Sequence, residues 1–200
     1  MTEHRPSRRA SDAKPASSTI EVVAPEELEA KPVSLALRYW KSLRGTQPFP
    51  AREDLVPRDM APFLRNVALA RVIDAGRDYE YRIAGDAFVQ AFGYNFKGML
   101  LTEIEAKDPS YGQLTRALYE HVRNQAQPFA LRGVVPPTVP SRFTSHETIF
   151  FPLGKNGAVD HLMATTCFTP RSTDLEETPA GAVLPESWRD FALTGIKDPV

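Results

Sequence analysis

Strict alternation of apolar and polar side chains predicts a strand over residues 79–84. Tyr79 and Tyr81 point to one side of this strand, and Glu80 points to the other. The preceding segment, residues 66–74, also has the character of a strand, but it is apolar on both sides. Because such a strand needs cover on both faces, the sequence predicts a sheet that is packed between two layers.

Apolar residues at helical spacing occur both before and after these two strands. Residues 33–44 carry an apolar stripe that includes Trp40, and Gly45 follows where a helix would end. We expect this helix to cover the face of the first strand that points away from the other helices. Three further helices are predicted downstream, over residues 86–92, 99–104 and 109–125.

Three later segments, 129–135, 143–152 and 158–168, complete the expected sheet. Residues 154–157 have the sequence Gly-Lys-Asn-Gly, which suits a short hairpin loop between the last two strands. The order strand, strand, helices, strand, strand, strand predicts an α+β fold with a five-stranded antiparallel sheet. Helices would lie on one face of this sheet, and the N-terminal helix would cover the other face.

Composition divides the chain into four parts. Residues 1–24 are rich in Ser, Pro, Ala and Arg, which predicts a disordered basic tail. Residues 25–65 form an N-terminal helical extension, and residues 66–168 form the domain itself. Residues 169–200 are predicted to be a Pro-rich linker followed by a short C-terminal amphipathic segment.

Charge and cysteine content narrow the classes of partner. The 200-residue chain has a formal net charge of −1, which gives no general attraction to nucleic acid or to anionic membranes. Its single cysteine excludes an intramolecular disulfide framework. We find no apolar segment of the kind that forms a secretory signal or spans a bilayer. We therefore expect a cytoplasmic protein that binds neither nucleic acid nor membrane.

Motifs of known enzymes are mostly missing from the sequence. The interval from Gly93 to Gly98 has the spacing of a phosphate-binding loop, but Met and Leu follow where Lys and Ser/Thr would contact phosphate. His146 has no second histidine four positions later, because that residue is Phe150. The other histidines show no metal-ligand spacing. These patterns favour a protein that is not an enzyme and holds no metal.

Four short motifs occur in an order that resembles one known family. They read LRYWKSLRG at residues 37–45, DLVPRDM at 54–60, YRIAG at 81–85 and FGYNFKG at 92–98. With the last two predicted strands, they resemble PAS domains over about residues 33–168, most closely the stand-alone PAS_5-type domains of alphaproteobacteria. The resemblance implies a bacterial sensory or regulatory protein that acts by association. Its partner would be a signalling protein such as a histidine kinase, or a second copy in a homodimer.

The residues expected to face the helices would either line a cavity for a small apolar ligand or fill a solid core. These ligand-pocket candidates are Tyr81, Phe88, Phe92, Leu101, Ile104, Leu114, Leu118, Leu131, Ile149, Phe151 and Met163. His121 shares the predicted pocket side of the long helix, and haem-binding PAS proteins ligate iron from the corresponding helix. A haem or small-ligand sensor built on His121 is therefore one alternative, and an NTF2-like small enzyme is another. Flavin is not expected, because Asn95 is not followed by the cysteine of light-sensing relatives.

Two groups of residues are candidates for a partner surface. One group is the basic face that Arg38, Lys41 and Arg44 form on one side of the N-terminal helix. This face would either bind a partner or be an ordinary solvated helix surface. Trp188 and Phe191 belong to an apolar stripe near the C-terminus. Because so short a helix rarely persists alone in water, this stripe would dock on its own domain, dock on a partner, or fray.

Overall fold

The computed structural model describes residues 19–135, 141–172, 191 and 196. Its strands are β1 (Thr19–Val23), β2 (Val67–Ile73), β3 (Asp78–Ala84), β4 (Phe129–Val134), β5 (Phe143–Lys155) and β6 (Ala158–Pro170). Its helices are α1 (Lys31–Arg44), α2 (Pro57–Met60), α3 (Asp86–Phe92), α4 (Leu101–Lys107) and α5 (Pro109–Gln125). Two of the predicted helices, 86–92 and 109–125, have the observed bounds, whereas 99–104 starts two residues too early and ends three residues too early.

All six strands join one antiparallel sheet in the order β1-β4-β5-β6-β2-β3. The predicted α+β fold with an antiparallel sheet is confirmed, but five strands is one too few. The additional strand is β1, which lies inside the segment 1–24 that was predicted as a disordered tail. Ile20 and Val22 pack against one core and Val23 belongs to the other, so this edge strand buries apolar surface on both faces. The average composition of residues 1–24 concealed this short alternation.

Helix α1 covers one face of the sheet, as predicted from the Trp40 stripe. Trp40 is 1% exposed, stacks on Phe151 with ring centroids 5.7 Å apart, and donates its Nε1–H to the carbonyl of Pro152 at 3.0 Å. The carboxylate of Glu147 accepts hydrogen bonds at 2.9 and 2.8 Å from two backbone N–H groups just before α1. These contacts hold the helix against β5 and remove this face of the sheet from solvent.

Helices α3, α4 and α5 cover the opposite face, and local sequence signals set their bounds. The Asp108 side chain accepts a hydrogen bond from the backbone of Tyr111 and caps α5, with Pro109 at its first position. Gly93, with a φ of 78°, ends α3 in the left-handed conformation that glycine adopts most readily. The sheet is therefore the middle layer of three, with an apolar cluster on each side.

A tight backbone contact at Gly85 joins β3 to α3. The N–H of Gly85 donates to the carbonyl of Val67 at 2.8 Å, and a Cβ here would overlap the backbone carbonyl of Arg65. At the other end of the sheet, Asn156 and Gly157 have φ values of 54° and 77° and make the two-residue turn between β5 and β6. Positive φ at both turn positions is typical of tight hairpins.

Candidate functional site

A small cavity of about 60 Å³ lies between the sheet and helices α3 and α5. Five of the predicted pocket residues line it: Phe88, Phe92, Leu114, Leu118 and Leu131. Three others, Tyr81, Leu101 and Ile104, belong to the same apolar cluster but lie beyond the cavity wall. Ligand pockets commonly measure roughly 300–1,000 Å³. The observed space therefore holds a few small atoms or waters unless the wall moves.

Three predicted pocket residues, Ile149, Phe151 and Met163, lie on the opposite face of the sheet and pack with α1. Their neighbours Phe150 and Ala164 face the cavity instead. Successive side chains in a strand alternate between faces, so assigning one residue to the wrong side misplaces its whole set. Here both sets are apolar, and the sequence pattern therefore gave no sign of which one faces the helices.

His121 does not enter the cavity. It is partly buried on α5, and its ring meets the edge of Phe129 with centroids 4.7 Å apart. The cavity of about 60 Å³ is far smaller than a haem macrocycle needs. The residues present therefore do not fit haem. Among the described residues, no group of three or more His, Cys, Asp and Glu side chains is arranged to hold a metal ion.

On the sheet side, the polar part of the cavity is a row of three side chains that were not among the predicted pocket residues. Nδ1 of His146 lies 2.9 Å from Oγ1 of Thr148, which donates to Oγ1 of Thr166 at 3.0 Å. All three line the cavity and are at least nine-tenths buried. Alternation would have grouped them with Phe150, because His146 and Thr148 lie on the same side of β5 as Phe150. The wrong face assigned to Ile149 concealed this.

Burial keeps this row uncharged. Desolvation lowers the pKa of His146 to about 4, so its imidazole is neutral near pH 7. If Thr148 donates to Thr166, the Thr148 oxygen accepts from His146, which places the imidazole proton on Nδ1. The cavity floor thus offers neutral dipoles rather than a charge.

Tyrosine hydroxyls on the α5 side of the cavity are also uncharged. The hydroxyl of Tyr119 donates to that of Tyr81 at 3.3 Å. Burial raises the pKa of Tyr111 to about 12, and it raises the pKa values of Tyr119 and Tyr81 as well. A phenol with a raised pKa is a poor general base at neutral pH. This arrangement suits noncovalent contact with an uncharged group.

The three basic residues of α1 that are candidates for a partner surface differ in their contacts. Arg38 is exposed, whereas Lys41 pairs with Glu26 at 2.6 Å, and the guanidinium of Arg44 lies 5.5 Å above the Trp40 ring. Each of the last two already has an intramolecular contact. Arg38 and Lys41 are both exposed, whereas Arg44 is partly buried.

The C-terminal stripe is described at one of its two candidate positions. Phe191 is partly buried and packs against the apolar cluster on the cavity side of the sheet, as does Ile196. Trp188 lies outside the described residues. Of the three outcomes left open for this stripe, the placement of Phe191 agrees with docking on its own domain.

Comparison with known proteins assigns this architecture to a family. A sheet covered by short helices around a small core cavity is the class of domain that the fold and site define. The family model described as PAS domain matches residues 28–164. The chain therefore belongs to the PAS domain family, which confirms the predicted resemblance. No curated protein matches it.

The PAS assignment indicates a sensory or regulatory type of domain, in a family that is generally not enzymatic. None of the helices in the described ranges combines the length and apolar character that crossing a bilayer requires.

Proposed function

We propose that this protein is a noncatalytic sensory or regulatory module that holds a small, mainly apolar ligand and acts by associating with another protein. The ligand would occupy the cavity beneath α3 and α5. The partner would be a signalling protein such as a histidine kinase, or a second copy of this chain. The partner class comes from the family resemblance, whereas the ligand site rests on the geometry of the cavity.

The observation that carries the proposal is a mainly apolar cavity whose polar side chains are uncharged and hydrogen-bonded to one another. Cores are normally packed to the density of organic crystals, so a void loses dispersion contacts that a ligand would restore. Neutral His146, Thr148 and Thr166 would accommodate an uncharged ligand without leaving a buried charge unpaired. Charged ligand groups would have to remain outside this space.

Ligand binding would reach a partner through a displacement of the helices that form the cavity wall. Because the cavity is small, a ligand of more than a few atoms would displace α3 or α5 from the sheet. Helix α1 packs on the other face of the sheet, so a displacement of α3 or α5 would alter the outer surface on the cavity side. A partner that binds the displaced arrangement more tightly would then respond to the ligand.

The test is native mass spectrometry of the full chain purified from its own host, combined with a cavity-filling variant. Ala164 is 3% exposed and lines the cavity, so Ala164→Phe would occupy the ligand space. We expect the wild type to retain a small molecule and Ala164→Phe to lose it. Ala106→Phe, the same substitution at an exposed position of α4, should retain it.

Folding of each variant is checked by circular dichroism and urea unfolding, because overpacking a core costs about 1–3 kcal/mol. A folded Ala164→Phe protein that keeps the same molecule at the same occupancy would overturn the ligand site. A wild-type protein that carries no small molecule and no protein partner would overturn the proposed function.

A further inference from the structure

A second, open space lies directly beside the internal cavity. It is a groove of about 570 Å³ between α3 and the ends of β5 and β6. Phe143 and Phe168 line both the groove and the cavity, and their ring centroids are 4.9 Å apart. These two rings therefore form the partition between the two spaces. Phe143 is 2% exposed, whereas Phe168 is only partly buried and is therefore the ring that is closer to solvent.

The groove contains a cation with an incomplete set of partners. Nε of Arg142 is buried and has no hydrogen-bond partner among the residues that the structure describes, and its Nη1 makes a long contact of 3.4 Å with the carbonyl of Gln90. No carboxylate of the described residues pairs with this guanidinium. A buried donor without an acceptor is costly, and native proteins rarely leave one. An anionic group in the groove would supply the missing acceptor in a charge-assisted geometry.

Arg65 is the second guanidinium of the groove, and it differs from Arg142. Its Nη2 lies 3.2 Å from Oδ2 of Asp86 and 3.5 Å from Oε1 of Gln90, and its side chain is 62% exposed. Its charge is therefore already balanced and largely solvated. Arg142 is the stronger candidate for a specific anion contact.

We infer that the groove and the cavity bind the two ends of one ligand, a small monocarboxylic acid with an apolar chain. This inference rests on the proposed ligand-binding function and specifies its ligand class. The carboxylate would pair with Arg142, and the chain would pass Phe168 into the cavity. The reverse orientation is disfavoured, because a carboxylate beside neutral His146 would be buried without a counter-charge.

The test is isothermal titration calorimetry of the full chain with three probes that share one chain and differ in head group: octanoate, 1-octanol and octylammonium. We expect octanoate to bind about tenfold or more tightly than 1-octanol, as one charge-assisted contact supports, and octylammonium not to bind. Arg142→Gln should remove the preference for octanoate over 1-octanol. Arg58→Gln, an equal change of charge at an exposed position outside the groove, should preserve it.

The possible results separate the two proposals. Equal affinity for octanoate and 1-octanol in the wild type, or an unchanged preference in Arg142→Gln, would overturn the carboxylate inference while leaving a ligand cavity in place. Absence of binding by all three probes overturns the carboxylate inference. The proposed function would then be decided by the molecule that the host-purified protein retains. Loss of octanoate binding in Ala164→Phe with retention in Ala106→Phe is expected if the chain enters the cavity.

Discussion

Acidification should destabilise this protein through His146. The imidazole is buried in the cavity, where desolvation lowers its pKa to about 4. In the unfolded chain its pKa returns to its ordinary value of about 6.5. Between these two pH values His146 is protonated in the unfolded state and neutral in the folded state, so the free energy of unfolding falls as the pH falls. Above pH 6.5 both states are neutral at this position, and His146 contributes no pH dependence.

The size of the effect follows from the gap between the two pKa values. A gap of about 2.5 pKa units corresponds to about 3 kcal/mol once the pH is below both values. By pH 5, about 2 kcal/mol of this loss should be present relative to pH 7.5. That is a large share of the stability of an ordinary domain, which is about 5–15 kcal/mol.

Urea unfolding at pH 7.5, 6 and 5 measures this loss, and a His146→Asn variant isolates it. Asn keeps a nitrogen near the position of Nδ1 but cannot titrate, so the variant should lose about 2 kcal/mol less than the wild type between pH 7.5 and 5. His161→Asn, which removes a histidine outside the cavity, should keep the wild-type loss. The reasoning fails if His146→Asn and the wild type show the same pH dependence.

Two further predictions concern the packing that holds the site in place. Trp40→Ala should lower the free energy of unfolding, measured in urea, by about 3–5 kcal/mol, because it leaves a buried site empty. Trp40→Phe mainly loses the hydrogen bond to Pro152 and should cost far less. Equal costs for the two variants would contradict this account. Gly85→Ala should cost about 3 kcal/mol, because its Cβ would overlap the Arg65 carbonyl. Gly98→Ala is the control, because its Cβ would meet open space and only its φ of +87° would be strained; it should cost about 1 kcal/mol. If Gly85→Ala destabilises the protein no more than Gly98→Ala does, the proposed overlap at Gly85 is wrong.

Local sequence signals were sufficient for most of the elements. Helix α5 has its cap at Asp108, its proline at position 109 and its apolar stripe within one continuous segment, so its bounds could be predicted without knowledge of its neighbours. The same holds for the turn at Asn156 and Gly157. Strand β1 is the exception, because five alternating residues gain their stability from pairing with a distant strand rather than from their own sequence.

The candidate site was only half predictable. The helix residues that line the cavity, such as Phe88 and Leu118, belong to amphipathic helices with one apolar face, and that face must turn inward. The strands that line the cavity do not have a single apolar face. On β5, Ile149 and Phe150 are both apolar and point in opposite directions, so sequence alone could not assign either to the cavity.

The sequence by itself determined the family, the class of fold and the positions of the helices, since these depend on periodicity and on capping residues that act over a few positions. Only the tertiary structure decided which side of β5 and β6 faces the helices. That choice brings His146, Thr148 and Thr166 together in one hydrogen-bonded row and sets Arg142 beside the cavity. The physical reason is that a strand covered on both faces has no polar side to orient it, so its orientation depends on how distant layers pack against it.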